Sequence, residues 1–187
     1  TLPPIKQLQR DEERCPARCG LIEDNLHYMK CTADPIRTER MRLLGVCRKE
    51  LTRIDTHPGI IDVTIWCILK YCDEHMAREY STNLQQWNNN DRLQSIIDNQ
   101  QNIGYDSFLK GLITKEWALT QRSYWRDNPK RKYSIGGWTP KYIQIILDVT
   151  LGMWKYRNGI LHGTTEDETI QLRRKRLQQQ IRTQQQQ

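Results

Sequence analysis

Residues 60–69 have the sequence IIDVTIWCIL, the longest apolar stretch of the chain. The apolar residues here and just beyond recur at spacings of three and four, as on one face of an α-helix. The stretch carries Asp62 and has about half the length that a helix needs to cross a bilayer, so we expect no membrane span. The pattern instead predicts a helix of a soluble bundle, with an apolar face formed by Ile61, Ile65, Ile68, Leu69, Cys72 and Met76.

The same helical spacing recurs almost everywhere else, and strand patterns are scarce. We therefore predict an all-α protein with a bundle of about five helices. A helix that begins at Asp34-Pro35 and ends before His57-Pro58-Gly59 precedes the helix of Ile61, and we expect the two to pack as an antiparallel pair.

Caps, glycines and prolines divide the rest of the chain. They predict a polar connection over 81–90, then a short helix around Leu93, and then a fourth helix that carries Phe108, Leu112, Ile113 and Trp117. A predicted surface loop over 126–138 leads to a long helix that is capped by Thr139-Pro140 and ended by Gly163. A predicted projecting carboxy-terminal helix begins at Glu166 and frays into a glutamine-rich tail.

Composition and charge narrow the class of protein. The 187 residues are 37% hydrophobic and 27% charged, which excludes a wholly disordered or a collagen-like chain. Residues 1–110 hold 15 Lys/Arg against 16 Asp/Glu, whereas residues 111–187 hold 14 against 6. A local cationic excess suits a polyanionic partner such as nucleic acid, and it equally suits a solvated basic face.

The amino-terminal part contains four soft metal ligands within 17 residues, in the spacing Cys-x3-Cys-x7-His-x3-Cys. Structural zinc sites use four thiolate or imidazole ligands, and with four protein ligands no position stays open for catalysis. A disulfide between two of the cysteines, or unrelated reduced cysteines, are the alternatives. The predicted ligands are Cys15, Cys19, His27 and Cys31.

On a helix, His27 and Cys31 would project from one face toward one ion because they are four residues apart. Gly20 suits the turn that brings the first two thiolates together. The other three cysteines fall on apolar helix faces and are predicted to be small core residues; they are Cys47, Cys67 and Cys72.

This cluster resembles the zinc-binding region that follows the polymerase domain in reverse transcriptases of non-LTR retrotransposons. That family has a Cys-Pro-x-Cys-Gly start, one or two acidic residues, then His and Cys; here three residues instead of two separate the first cysteines. Residues 154–158, WKYRN, resemble the Trp-x-x-Arg-Asn segment found downstream in such proteins. The resemblance is carried by Cys15-Pro16 and Cys19-Gly20, by Glu23-Asp24, and by His27 and Cys31.

The resemblance implies a non-catalytic, zinc-binding and nucleic-acid-binding carboxy-terminal part of a reverse-transcriptase-like protein, since the cluster in that family is thought to help hold template RNA or target DNA. It implies no polymerase, because the catalytic aspartates of the family belong to an upstream domain. We expect no small-molecule substrate. The cations expected to contact phosphates are Arg14, Arg18, Lys30, Lys130, Arg131, Lys132, Arg173, Arg174, Lys175 and Arg176.

A second hypothesis is enzymatic. Residues 157–163, RNGILHG, resemble the Arg-x4-His motif of the metal-independent HEPN ribonucleases, in which Arg157 would stabilise the phosphate, Asn158 would assist positioning and His162 would act as acid or base. On an ideal helix Arg157 and His162 lie about 140° apart, so a bend near Gly159 would be needed. Alternatively, Asn158 and Gly159 end the helix.

The tryptophans allow two interpretations. Trp66, Trp117 and Trp154 fall on helical stripes and are predicted to lie in the core. The other three lie near polar or basic stretches, where a ring either stacks on an unpaired base or, as we favour, pins the adjoining loop to the helices; they are Trp87, Trp125 and Trp138.

The predicted organisation is a zinc-binding element over 1–34, a helical bundle over 35–163 and a basic, glutamine-rich helix or tail over 164–187. No basic-then-apolar leader opens the sequence, and we expect an intracellular, reducing compartment. A third hypothesis for function is a helical scaffold that uses zinc only to fold.

Overall fold

A computed structural model of the chain describes residues 15, 17, 19–20, 22, 27–127, 134–163 and 165–185. This part of the chain is helical and contains no β-strand, which confirms the all-α prediction. In it, nine α-helices and one 3-10 helix follow one another: α1 His27–Lys30, α2 Asp34–Arg53, α3 Pro58–Cys72, α4 Glu74–Tyr80, the 3-10 helix Ser81–Trp87, α5 Asp91–Ile103, α6 Tyr105–Leu109, α7 Lys115–Asp127, α8 Ile135–His162 and α9 Glu166–Gln185.

The chain forms two compact units. One comprises Thr1–Glu39 and Met153–Gln187, and the other comprises Arg40–Gly152. Helices α3 to α7 lie within the second unit, which contains most of the buried apolar residues. The domain bounds expected from the sequence stay a prediction. Among the described helices, none is both long and apolar enough for a membrane span.

The apolar stretch of residues 60–69 forms the centre of the second unit. It belongs to α3, in which most of the 15 residues are buried, as expected of a helix covered on nearly all sides. The helix begins at Pro58, within the segment predicted only to end α2, and the His57 side chain caps it by accepting a hydrogen bond from the Gly59 N–H at 2.8 Å. Just before this cap, Asp55 adopts a positive φ of 58°.

The predicted continuation of this helix to Met76 is wrong. Asp73 has an extended backbone with φ −158°, so α3 ends there, and the Asp73 side chain accepts a hydrogen bond from the Met76 N–H at 3.2 Å to start α4. One residue thus caps two helices. The segment predicted as a polar connection contains the 3-10 helix Ser81–Trp87.

Two further boundaries differ from the prediction. The expected fourth helix is divided into α6 and α7 by Gly111, whose φ of +82° is unfavourable for residues with a side chain. Helix α8 begins at Ile135 instead of at Thr139-Pro140, because Ser134 provides the cap and accepts a hydrogen bond from the Gly137 N–H at 3.2 Å. Trp138 therefore lies in a helix and not in the predicted loop.

A buried carboxylate joins four elements of the second unit. Asp62 on α3 is 5% exposed and accepts hydrogen bonds at 2.7 to 3.2 Å. The Tyr80 hydroxyl also contacts Arg48, and burial raises its pKa to about 12. The four donors, from α2, α4 and the 3-10 helix, are Arg48, Tyr80, Gln86 and Trp87.

Helices α7 and α8 hold the turn between α2 and α3 through their tryptophans. The indole N–H of Trp125 donates to the Asp55 carbonyl at 3.0 Å, and that of Trp138 donates to the Thr56 hydroxyl at 3.0 Å. Gln121 donates to the same Asp55 carbonyl and accepts from the His57 N–H, both at 2.8 Å. The turn is thus fixed by hydrogen bonds from buried side chains that are distant in sequence.

Two glycines of this unit predict opposite effects of the same substitution. Gly45 is exposed in the middle of α2, and an added Cβ would meet nothing within 4 Å. We expect Gly45→Ala to raise the free energy of unfolding by about 1 kcal/mol, because alanine favours a helix. Gly111→Ala should lower it by at least about 1 kcal/mol, since φ is +82° and the Cβ would lie 2.9 Å from the Ile143 Cγ2. Urea unfolding measures both, and equal effects would contradict the two assignments.

The cap on α3 predicts a pH dependence. Burial lowers the pKa of His57 below its usual 6.5, and its Nδ1 must be unprotonated to accept from Gly59. The unfolded state therefore binds a proton at higher pH than the folded state, and this stability is present above about pH 6.5 and decreases as the pH falls below it. In urea unfolding, His57→Asn, which keeps a capping acceptor, should lose less stability than the wild type from neutral pH to about pH 5. Parallel pH profiles would refute this role.

Candidate metal centre

The four predicted ligands come together. One ligand atom from each of Cys15, Cys19, His27 and Cys31 lies within 4.8 Å of all the others. The Sγ atoms of Cys15 and Cys31 are 3.6 Å apart, and the Sγ of Cys19 lies 3.2 Å from the Nε2 of His27. Three of the residues are buried and Cys19 is half-buried. The cluster is therefore a compact, mostly enclosed set of three sulfurs and one nitrogen.

Local structure places each ligand. His27 begins α1, and the Cys31 N–H donates to the His27 carbonyl at 2.7 Å, so the helical turn predicted for this pair is present. Ala17 lies in a turn between Cys15 and Cys19, and Gly20 has a φ of +84°, the left-handed conformation that glycine adopts without strain. A turn and a short helix thus supply two ligands each.

Burial and backbone N–H groups have opposite effects on the pKa values of the thiols. Burial raises the pKa of Cys15, while the backbone N–H groups of Ala17 and Cys19 lower it. Burial likewise raises the pKa of Cys31 to about 12, against a lowering by the backbone N–H of Ala33. Amides that point at sulfur stabilise thiolates, and such groups orient metal ligands. A bound cation would supply the positive charge that stabilises the buried thiolates.

Two of the distances between ligand atoms are near those around a tetrahedral ion. With zinc–sulfur bonds of about 2.3 Å and zinc–nitrogen bonds of about 2.0 Å, two sulfurs lie about 3.8 Å apart, and a sulfur and a nitrogen about 3.5 Å. The observed 3.6 Å and 3.2 Å are close to these values. All six cysteines are free thiols, so the disulfide alternative is not formed. The four residues can hold a metal ion, and three sulfurs with one imidazole are a ligand set that zinc favours.

The predicted phosphate-binding cations are only partly within the described residues. Arg14, Arg18, Lys130, Arg131 and Lys132 lie outside them, as does the side chain of Arg176. The others are exposed: Lys30 on α1, and Arg173, Arg174 and Lys175 on α9.

The residues of the ribonuclease hypothesis lie on an unbroken helix. Helix α8 continues through Gly159 to His162, so the alternative that Asn158 and Gly159 end it is wrong. Gly163, with a φ of +81°, ends it as predicted. Arg157 donates to the Asn158 side chain at 3.3 Å, while the regular helix directs Arg157 and His162 about 140° apart.

The tryptophans favour the pinning interpretation. Trp125 and Trp138 are at most 2% exposed and cannot stack on a base, and Trp87 is half-buried and donates to Asp62 at 2.9 Å. Trp117 lies in the core as predicted, and Trp66 is half-buried against Tyr105. The prediction for Trp154 is wrong, because this ring is 47% exposed. Cys47, Cys67 and Cys72 are buried as predicted.

One group of cations is not indicated by any sequence motif. Arg92 on α5 and Arg122 and Arg126 on α7 line one groove of the second unit. Arg92 lies 30 residues before Arg122 in the sequence, and Arg122 and Arg126 share only an i, i+4 spacing on one helix, so no local pattern joins the three.

Comparisons with protein-family models, with curated proteins and with solved structures find no match to this chain.

The metal centre predicts a specific effect of losing one ligand. We expect the purified protein to contain one zinc ion per chain by elemental analysis, and Cys31→Ser to lose at least about tenfold in affinity because a buried ligand is removed. Cys47→Ala, which removes a buried thiol outside the cluster, is the matched control and should keep one ion. Competition with a chromophoric chelator gives the affinities. Equal losses in both variants, or a wild type that binds neither zinc nor cobalt(II), would contradict the site.

Proposed function

We propose that this chain is a non-catalytic, zinc-binding and nucleic-acid-binding carboxy-terminal part of a reverse-transcriptase-like protein. The observation that carries the proposal is the closure of Cys15, Cys19, His27 and Cys31 into one metal-sized cluster. These are the residues on which the resemblance to retrotransposon reverse transcriptases rests.

In this proposal zinc has a structural role. Four protein ligands leave no open coordination position, so the ion fixes the backbone of the amino-terminal element and does not activate a substrate. Lys30 is exposed at the end of the four-residue helix α1, which begins at His27 and ends just before Cys31. A fixed scaffold that carries an exposed ammonium suits contact with a phosphate.

Helix α9 offers the second part of the nucleic-acid surface. Its described side chains are nearly all exposed, and Arg173, Arg174 and Lys175 form no hydrogen bond or ion pair with another described residue. Cations that are not neutralised within the protein remain available for phosphates, and their binding releases condensed counterions. Affinity should therefore decrease as salt increases.

The expected nucleic-acid binding is testable on the full chain. We expect it to bind labelled single-stranded oligonucleotides in fluorescence anisotropy, and the triple variant Arg173→Gln, Arg174→Gln, Lys175→Gln to bind at least about tenfold more weakly, with a salt slope smaller by up to about three. The control removes three exposed cations elsewhere: Lys49→Gln, Arg53→Gln, Arg78→Gln.

Three outcomes separate the hypotheses. Equal losses in the two triple variants would show attraction by net charge alone and would refute the role of α9. No binding by the wild type at physiological salt would favour the scaffold with structural zinc. Cleavage of RNA that survives chelation and disappears in His162→Ala would instead favour the ribonuclease.

A further inference from the structure

Helices α5 and α7 enclose a groove of about 590 Å³ on the surface of the second unit. Arg92 and Ser95 line it from α5, and Arg122, Ser123 and Arg126 line it from α7. The volume is in the range of sites that hold a nucleotide-sized group. The groove is distinct from the metal cluster and from α9, which belong to the other compact unit.

The guanidinium groups in this groove outnumber the carboxylates, since three arginines line it against Asp91 and Glu116. Among the described residues, Arg92 and Arg122 have no hydrogen-bond or ion-pair partner. Arg126 donates to the Ser123 hydroxyl at 3.3 Å and lies 3.6 Å from Asp127. Because Arg122 and Arg126 are one helical turn apart, their charges repel each other in the absence of an anion.

The groove also has neutral groups suited to a sugar-phosphate chain. The hydroxyls of Ser95 and Ser123 can donate to phosphate oxygens, and Leu119, which is 49% exposed, gives one wall an apolar surface. Arginine binds phosphate through paired N–H groups in a planar fork. Three such forks on two facing helices are complementary to a polyanion that runs along the groove.

We propose that the groove between α5 and α7 binds the phosphodiester backbone of one nucleic-acid strand, with Arg92 and Arg122 as its main phosphate contacts. This inference rests on the proposed function, since it names a second contact surface for the same kind of partner. A backbone fits better than a single phosphate because three exposed arginines on two helices line the groove.

The test compares two double variants of the full, zinc-loaded chain in anisotropy titrations with a labelled single-stranded oligonucleotide. Arg92→Gln with Arg122→Gln should weaken binding at least about tenfold and reduce the slope of log affinity against log salt by about two. Lys49→Gln with Arg78→Gln removes two exposed cations from other helices of the same unit, and it should change the affinity less than about threefold. Circular dichroism verifies that both variants keep their helices.

A variant that removes a negative charge from the groove tests whether the arginines act directly on the bound strand. Glu116 also lines the groove, so Glu116→Gln should tighten binding by about threefold, whereas the exposed Glu79→Gln on α4 should not. Unchanged or weaker binding by Glu116→Gln would overturn the proposal.

The outcomes distinguish the groove from the proposed function. If the wild type binds and the two double variants are equal, the groove is refuted while nucleic-acid binding stands. If the wild type does not bind, both fail. If inorganic phosphate displaces the oligonucleotide more effectively than chloride at the same ionic strength, the groove is a site for a single phosphate and not for a backbone.

Discussion

The buried carboxylate of Asp62 is the interaction on which the helical unit most depends. A charge removed from water is strongly unfavourable unless it is paired and fully hydrogen-bonded. Here one guanidinium, one hydroxyl, one amide and one indole satisfy the two oxygens. The donors come from α2, α4 and the 3-10 helix, so the carboxylate joins each of these elements to α3. The cost of leaving Asp62 unsatisfied therefore favours this arrangement of the four elements.

The elements joined to Asp62 also position the helices that form the groove. The 3-10 helix ends at Trp87, one of the donors to Asp62, and Asn90 then caps α5 by accepting from the Leu93 N–H at 3.2 Å. Helix α5 in turn packs on α7 through the Gln100 side chain, which accepts from the Trp117 indole at 3.0 Å. The placement of Arg92 relative to Arg122 thus depends on contacts made far from either guanidinium.

The features that could be predicted from the sequence are those set by residue spacing. Helix α3 follows from its apolar periodicity, and the metal cluster follows from four ligands in a short segment. The breaks at Asp73 and Gly111 depend on a single cap and a single backbone dihedral, which periodicity does not reveal. The exposure of Trp154 depends on whether another helix covers that face. The groove depends on two helices that pack together, so its arginines carry no local pattern.

The positions of the tryptophans have a consequence for spectroscopy. Trp117, Trp125 and Trp138 are enclosed in the helical unit, whereas the segment from Cys15 to Cys31 contains no tryptophan. Emission from enclosed indoles reports the integrity of residues 40–152, with Trp154 as an exposed background. Ligand-field absorption of a cobalt(II) ion held by thiolates would report the other unit alone. The molecule thus offers two separate optical signals, by which the opening of one unit can be followed while the other stays folded.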